Sequence, residues 1–129
     1  MIEFLLMIDD SEIDNMVHKK VVQKAAFAKD IVIKKSAMSA LEYLNEIIEK
    51  SPEKVPNLIF LDIRMPEMDG FGFLAEFNKL PSIILQKTKI IMLSSSIDAE
   101  DHKKANESPY VIKFINKPLK TTDLESIEL

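Results

Sequence analysis

The sequence of 129 residues predicts a single α/β domain with five parallel strands in the order 2-1-3-4-5 and helices on both faces of the sheet. Two observations support this prediction. Short apolar runs alternate five times with longer segments whose apolar residues recur at helical spacing, which is the pattern of consecutive βαβ units. The length suits one hydrophobic core, and right-handed crossovers leave few topologies, of which this strand order is the commonest at this size.

Each predicted strand is a short apolar run that ends in polar residues. The five runs cover residues 4–8, 30–34, 58–61, 89–93 and 110–115. The third run contains no polar residue, which suits a strand buried on both faces, although periodicity alone does not distinguish it from a buried turn of helix.

The first predicted helix follows the polar segment Asp9-Asp10-Ser11-Glu12, where acidic residues favour the positive end of the helix dipole. Its predicted buried face consists of apolar residues that recur every four positions: Ile13, Val17, Val21 and Ala25. Its predicted solvent face consists of Asp14, His18, Lys19 and Lys20. The second helix begins in the segment 36–39, ends at Ser51-Pro52 and carries four apolar residues on one face: Leu41, Leu44, Ile47 and Ile48.

Three further helices are predicted in the second half of the chain. One follows Asp69-Gly70 and is stopped or kinked by Pro81, before a short polar connection leads to the fourth strand. A short, weakly apolar helix covers residues 97–107. The last helix carries Leu119, Leu124, Ile127 and Leu129.

The composition excludes several kinds of function. The chain has no cysteine, so disulfides, thiolate metal sites and cysteine nucleophiles are excluded. The net charge of -4 and the single arginine, Arg64, argue against nucleic-acid binding. No apolar run is long enough to span a bilayer and the first residues lack the features of a signal peptide, so we expect a cytoplasmic protein without membrane contact.

Polar residues directly follow four of the five predicted strands: Asp9 and Asp10, Asp62, Ser94, and Lys117. Parallel strands end at one edge of the sheet, and strands one and three are neighbours, so we expect the three carboxylates to be in contact. Like charges at such range raise one another's pKa unless a cation lies between them, and oxygen ligands at an open site suit Mg²⁺. Taken singly, each residue also has a structural interpretation, as a helix cap, a turn hydroxyl or a solvated amine. His18 and His102 have no second metal-type ligand nearby in sequence, and we predict that both are surface residues.

Four segments carry a resemblance to a known family: Ile-Asp-Asp at 8–10, Leu-Asp-Ile-Arg-Met-Pro-Glu-Met-Asp-Gly at 61–70, Ile-Met-Leu-Ser-Ser-Ser at 91–96 and Phe-Ile-Asn-Lys-Pro-Leu at 114–119. Over essentially its whole length the chain resembles the receiver domain of two-component response regulators, which has a flavodoxin-like fold. The resemblance implies that Asp62 accepts a phosphoryl group from a sensor histidine kinase or a phosphotransfer protein.

The resemblance also implies a metal site. Asp10, Asp62 and the backbone carbonyl of Arg64 are implied to hold Mg²⁺ or Mn²⁺, with Asp9 reaching the metal through water. Lys117 corresponds to the invariant lysine of the family, and its bond to Pro118 is expected to be a cis peptide that turns the amine towards Asp62.

Two further residues correspond to the family's conformational switch. Ser94 corresponds to the switch hydroxyl and Phe114 to the aromatic switch residue, although Phe114 lacks the hydroxyl of the frequent Tyr. Arg64 and Ser96 stand at two variable positions that tune the lifetime of the phosphorylated state in this family, so that lifetime is not transferable from a relative.

These features predict a phosphoacceptor and signalling module rather than an enzyme acting on foreign substrates. The expected receiver domain covers residues 1–129 with no output domain, and it takes part in its own phosphorylation and dephosphorylation. We expect its output to be phosphorylation-dependent binding to an unknown downstream protein, by a monomer or weak dimer.

Three other interpretations compete with this one. Haloacid-dehalogenase-like phosphatases also form an aspartyl-phosphate, but they need a second Asp two residues on as general acid, and here that position is Arg64. A nucleotide or flavin binder would need a Gly-rich phosphate loop, and the chain has only Gly70 and Gly72. A degenerate receiver that is never phosphorylated would act only as a binding module.

Overall fold

The computed structural model describes all 129 residues and contains the predicted five-stranded parallel sheet in the order β2-β1-β3-β4-β5. The strands are β1 (Ile2–Ile8), β2 (Ala28–Lys34), β3 (Leu58–Leu61), β4 (Lys89–Ser94) and β5 (Val111–Asn116). The helices are α1 (Glu12–Lys24), α2 (Ala37–Lys50), α3 (Gly70–Phe77), α4 (Ser82–Lys87), α5 (Ala99–Glu107) and α6 (Thr121–Glu125), with a 3₁₀ turn at Pro52–Lys54.

Successive residues of the central strands enter two different apolar layers. Leu6 and Ile8 of β1 belong to a core of 18 buried residues on one face of the sheet. Leu5 and Met7 belong to a core of 11 buried residues on the other face. Side chains alternate across a strand, so an unbroken apolar run is what a sheet covered on both faces requires. The same alternation in Leu58–Leu61 confirms that this run is a buried strand.

The predicted buried face of α1 is wrong. Its buried residues are Asn15, His18 and Val22, whereas the residues Ile13 and Val17 are 71% and 43% exposed. A spacing of four residues drifts around a helix of 3.6 residues per turn, so it does not by itself define a face. A polar contact sets the rotation instead, because the Asn15 side-chain amide donates to the backbone carbonyl of Asp9 at 2.8 Å.

The connection after Pro81 is helical rather than merely polar. Pro81 stands at the N-cap of α4, where its missing N–H costs nothing, and Ile84 of this short helix is fully buried. The preceding helix, α3, has already ended at Phe77, so Pro81 marks the start of α4 rather than the end of α3. None of the helices combines the length and the apolar character needed to cross a bilayer.

Candidate functional site

The pairing of β1 with β3 brings the acidic residues together. Ile8 lies opposite Leu61, and the Asp62 N–H donates to the Ile8 carbonyl at 3.0 Å, so the residues that follow the two strands are neighbours. Carboxylate oxygens of Asp9, Asp10 and Asp62 all lie within 4.8 Å of one another. Asp9 and Asp62 are buried and Asp10 is exposed, so the cluster opens to solvent on one side.

Lys117 joins this cluster from the end of β5. Its Nζ lies 2.7 Å from Asp9 Oδ2 and 3.4 Å from Asp62 Oδ1. The Lys117-Pro118 peptide is cis, as predicted, and the Lys117 N–H donates to the Ser94 carbonyl at 2.9 Å. The site therefore contains one ammonium among its carboxylates, on a side chain that is 13% exposed.

Asp14 is a fourth acid of the site, which the sequence analysis placed in solvent. Its Oδ2 accepts a hydrogen bond of 2.7 Å from Lys117 Nζ, although 39% of its side chain is exposed. Its place in the first turn of the helix that follows Asp9-Asp10 could have indicated this proximity. The identity of its partner, 103 residues away, could not be read from local spacing.

Burial and the neighbouring charges shift the pKa of three of these groups. Burial and the charge of Asp9 raise the pKa of Asp62 to about 6, and Lys117 opposes that rise. Burial lowers the pKa of the Lys117 ammonium, but its hydrogen bonds to Asp14 and Asp9 outweigh burial, so that pKa is raised overall. The hydrogen bond from Lys117 lowers the pKa of Asp14. Lys117 is therefore a permanent cation, whereas Asp62 titrates near neutrality.

His18 is not a surface residue, contrary to the prediction. Only 2% of it is exposed, and burial lowers the pKa of its imidazole. It lines a small cavity with Asp9, Asn15 and Asp62, and Asn15 Oδ1 has no hydrogen-bond partner. The neutral imidazole thus forms part of the wall behind the carboxylate cluster.

Ser94 ends β4 in a buried position beside the cluster. Its Oγ accepts a hydrogen bond from the backbone N–H of Ser96 at 3.1 Å. Ser96 Oγ donates in turn to Asp101 Oδ2 at 2.6 Å, and the same oxygen accepts from the Arg64 guanidinium at 2.6 Å. The loop after β3 and the loop after β4 are therefore joined through one buried carboxylate of α5.

Phe114 is half-buried on β5 and packs against the larger core. Its ring lies 3.7 Å from the imidazole of His102 between centroids, with an interplanar angle of 24°. His102 is partly covered by this stack and is not a free surface residue, which corrects the second histidine prediction. Phe114 thus contacts α5 directly.

The donor set fits a hard divalent cation. Three carboxylates, one of them exposed, supply the oxygen ligands that Mg²⁺ and Mn²⁺ prefer, and the open side leaves room for water ligands. No cysteine competes for a softer metal. The residues present therefore suit Mg²⁺ or Mn²⁺.

The comparison with known families agrees with this geometry. The Response regulator receiver domain family matches residues 5–127 of the chain. The chain belongs to this family. Receiver domains are signalling proteins rather than conventional enzymes; they work with histidine kinases and phosphotransfer proteins, and they bind Mg²⁺ or Mn²⁺ at an acidic pocket.

Individual relatives are similar over most of this receiver. A two-component response regulator from Cytophaga hutchinsonii superposes with a TM-score of 0.88 at 29% identity, covering 96% of this chain and 92% of that one. Response regulator Rcp1 of Synechocystis sp. is 27% identical over 97 residues, which span 75% of this chain and 65% of Rcp1. The Mn²⁺-bound form of Rcp1 superposes with a TM-score of 0.75 at 25% identity, covering 94% of this chain and 85% of that one.

Proposed function

We propose that Asp62 of this receiver accepts a phosphoryl group from a sensor histidine kinase or a phosphotransfer protein in a Mg²⁺-dependent reaction. One observation carries the proposal. Asp62 is a buried carboxylate at a strand end, 3.4 Å from the Lys117 ammonium, and it lies within 4.8 Å of the carboxylate oxygens of Asp9 and Asp10. This arrangement pairs a nucleophile with groups that balance phosphoryl charge.

The transfer makes one bond and breaks one. A carboxylate oxygen of Asp62 attacks phosphorus, and the bond between phosphorus and the imidazole nitrogen of the donor breaks, leaving the electron pair on that nitrogen. The product is a mixed anhydride of Asp62. The pKa of Asp62 near 6 leaves most of the carboxylate ionised at neutral pH, so the nucleophile needs no base.

The other acids and Lys117 position the incoming group. Asp10, Asp62 and the Arg64 carbonyl would hold Mg²⁺, with Asp9 acting through water, and the cation would neutralise charge on the phosphoryl oxygens. Lys117 binds a phosphoryl oxygen as a point charge. Because its ammonium already faces Asp62, only a small shift away from Asp14 is required.

The output is a change in the surface around α5 and β5. Phosphorylation adds acceptor oxygens at Asp62, and Ser94 moves to donate a hydrogen bond to one of them. Phe114 then rotates into the space that Ser94 vacates, and the altered surface binds a downstream protein. In this scheme the protein acts in the cytoplasm, as a monomer or weak dimer, by protein contact alone.

Arg64 argues against the haloacid-dehalogenase-type hydrolase. That chemistry needs a general acid two residues after the nucleophile, whereas Arg64 is a permanent cation, and its guanidinium is paired with Asp101. Turnover of foreign phosphates therefore lacks its proton donor.

Labelling with a small phosphodonor tests the proposal. The protein is incubated with Mg²⁺ and acetyl phosphate, and its intact mass is measured alongside an EDTA control, Asp62→Asn and Asp10→Ala. We expect the mass of one phosphoryl group on the wild type with Mg²⁺ and none in the other three samples. Equal labelling of Asp62→Asn, or labelling of the wild type in EDTA, would remove the proposal.

A further inference from the structure

Asp101 binds two groups through a single carboxylate oxygen. Its Oδ2 accepts hydrogen bonds of 2.6 Å from the Arg64 guanidinium and from Ser96 Oγ. Only 5% of Asp101 is exposed, whereas 63% of the Arg64 side chain is exposed. The carboxylate is therefore the fixed member of this pair, and the guanidinium is the member that already faces solvent and can change position, while Ser96 Oγ remains as a donor to the carboxylate.

Arg64 is the only arginine of the chain. In sequence, Ile63 alone separates it from Asp62. Through Asp101 and Ser96 its guanidinium is also linked to the buried hydroxyl of Ser94. A guanidinium can pair bidentately with phosphoryl oxygens, whereas an ammonium binds them only as a point charge.

We propose that Asp101 is a positioning residue that withholds the Arg64 guanidinium from the phosphoryl-binding site. In the unphosphorylated protein the ion pair cancels the charge of Arg64 and holds the side chain against α5. When the pair opens, the site gains a second cationic side chain, beside Lys117, for phosphoryl oxygens. This inference rests on the proposed phosphorylation of Asp62.

Ser96 helps to hold the Asp101 carboxylate in position. Its hydroxyl donates to Asp101, and it also accepts from the Asp98 N–H at 3.2 Å, so the first turn of α5 is tied to the loop after β4. Its own backbone N–H donates to Ser94 Oγ. A movement of Ser94 towards the phosphoryl group therefore displaces Ser96 and, through it, loosens the hold of Asp101 on Arg64.

The initial labelling rate is measured against acetyl phosphate concentration at low and high ionic strength, for the wild type and Asp101→Asn. Release of Arg64 should lower the half-saturating concentration of acetyl phosphate roughly three- to ten-fold at low ionic strength. The gain should shrink with added salt, because salt screens an exposed cation, while the maximal rate should change little. A half-saturating concentration that equals the wild-type value at low ionic strength would overturn the proposal.

Two control experiments test whether the effect of Asp101→Asn depends on Arg64 or only on the loss of a negative charge or of packing. Asp98→Asn removes an acid from the N-cap of the same helix, keeps a capping side chain and should produce no comparable gain. Asp101→Asn should also produce no gain when it is introduced into Arg64→Gln. A similar gain in either case would show that the effect does not pass through Arg64.

A measurement on the wild type alone covers the case in which Asp101→Asn fails to fold. Since Arg64 is the only arginine, its side-chain Nε–H gives a single NMR signal. We expect that signal to shift on phosphorylation, and an unchanged signal would contradict the proposal. Absence of labelling in the wild type would instead remove the proposed function, so the two failures are distinguishable.

Discussion

Lys117 Nζ lies 2.7 Å from Asp14 Oδ2, a contact that ties the residue after β5 to the first turn of α1. Asp14 and Asp9 hold the ammonium more closely than Asp62 does. The cation is thus positioned mainly by acids other than the proposed phosphoacceptor, Asp62.

The contact between Asp14 and Lys117 predicts a pH-dependent loss of stability in Asp14→Asn. Because the pKa of Asp14 is lowered in the folded state, its contribution is present above the unfolded pKa of 3.8 and is lost as the pH falls through the folded pKa. Since Asp14 is partly exposed, we expect a loss below about 1 kcal/mol at pH 7 in urea unfolding. Glu12→Gln, which removes an exposed acid from the same turn, is the control and should change less. A loss in Asp14→Asn that is the same at pH 3 and pH 7 would contradict this account.

Asp62→Asn should stabilise the metal-free protein at neutral pH. The pKa of Asp62 is raised to about 6, so between pH 3.8 and 6 the folded state keeps a proton that the unfolded state releases. As the pH rises through this window, Asp62 therefore lowers the free energy of unfolding of the wild type by up to about 3 kcal/mol. Asp62→Asn has no group that titrates at this position, so its free energy of unfolding does not fall for this reason. Chemical unfolding in EDTA at pH 4 and pH 7.5 measures the difference. It should be small at pH 4 and largest at pH 7.5, and the opposite trend would show that burial does not dominate at Asp62.

Gly70 lies against the backbone of Asp62 and Ile63, where a Cβ does not fit. A Cβ at this position would lie 2.5 Å from the Asp62 carbonyl oxygen and 3.0 Å from Ile63 Cα, and neither backbone atom can move freely. We expect Gly70→Ala to lower the free energy of unfolding by about 1 to 3 kcal/mol and to impair labelling of Asp62.

Gly72→Ala is the matched control, in the same helix. Its Cβ would meet Met68 Cγ at 2.7 Å, which is part of a flexible side chain that can turn away. Thermal unfolding of the two variants should differ clearly, with Gly72→Ala close to the wild type. Equal destabilisation would show that the close approach to Asp62 is not the cause.

The stack of His102 on Phe114 provides a reporter for the switch. If Ser94 moves and Phe114 rotates on phosphorylation, the aromatic ring leaves its position 3.7 Å from the imidazole. The chain has two histidines, so the NMR signals of the His102 ring are readily assigned and should shift on phosphorylation in the wild type. We expect Ser94→Ala to accept phosphate without that shift. A shift of equal size in Ser94→Ala would mean that the hydroxyl is not the relay.

The fold was predictable because each strand contains a short apolar stretch that is followed by polar residues. The side chains of Leu58–Leu61 alternate between the two hydrophobic cores, one on each face of the sheet. The strand ends before Asp62, at the edge of the sheet where the acidic residues gather. The assembly of Asp9, Asp10 and Asp62 followed from strand order alone, since β1 and β3 are neighbours.

The remaining contacts could not be predicted, because they join side chains that are far apart in the chain. Asp14 meets Lys117 across 103 positions, and Arg64 meets Asp101 across 37. The prediction that His18 lies at the surface was wrong because it followed the spacing of apolar residues alone. In α1 a histidine side chain faces the interior instead. Periodicity describes which residues avoid water, but it does not identify polar residues with buried partners.

The central claim is that the phosphoryl group resides on Asp62, and reductive trapping tests it most directly. After incubation with acetyl phosphate and Mg²⁺, borohydride reduces an aspartyl-phosphate to homoserine, and peptide mass mapping locates the converted residue. The account predicts conversion at Asp62 in the wild type and no conversion in Asp62→Asn. Conversion at Asp9, Asp10 or any other acid, or a labelled protein without conversion at Asp62, would contradict it.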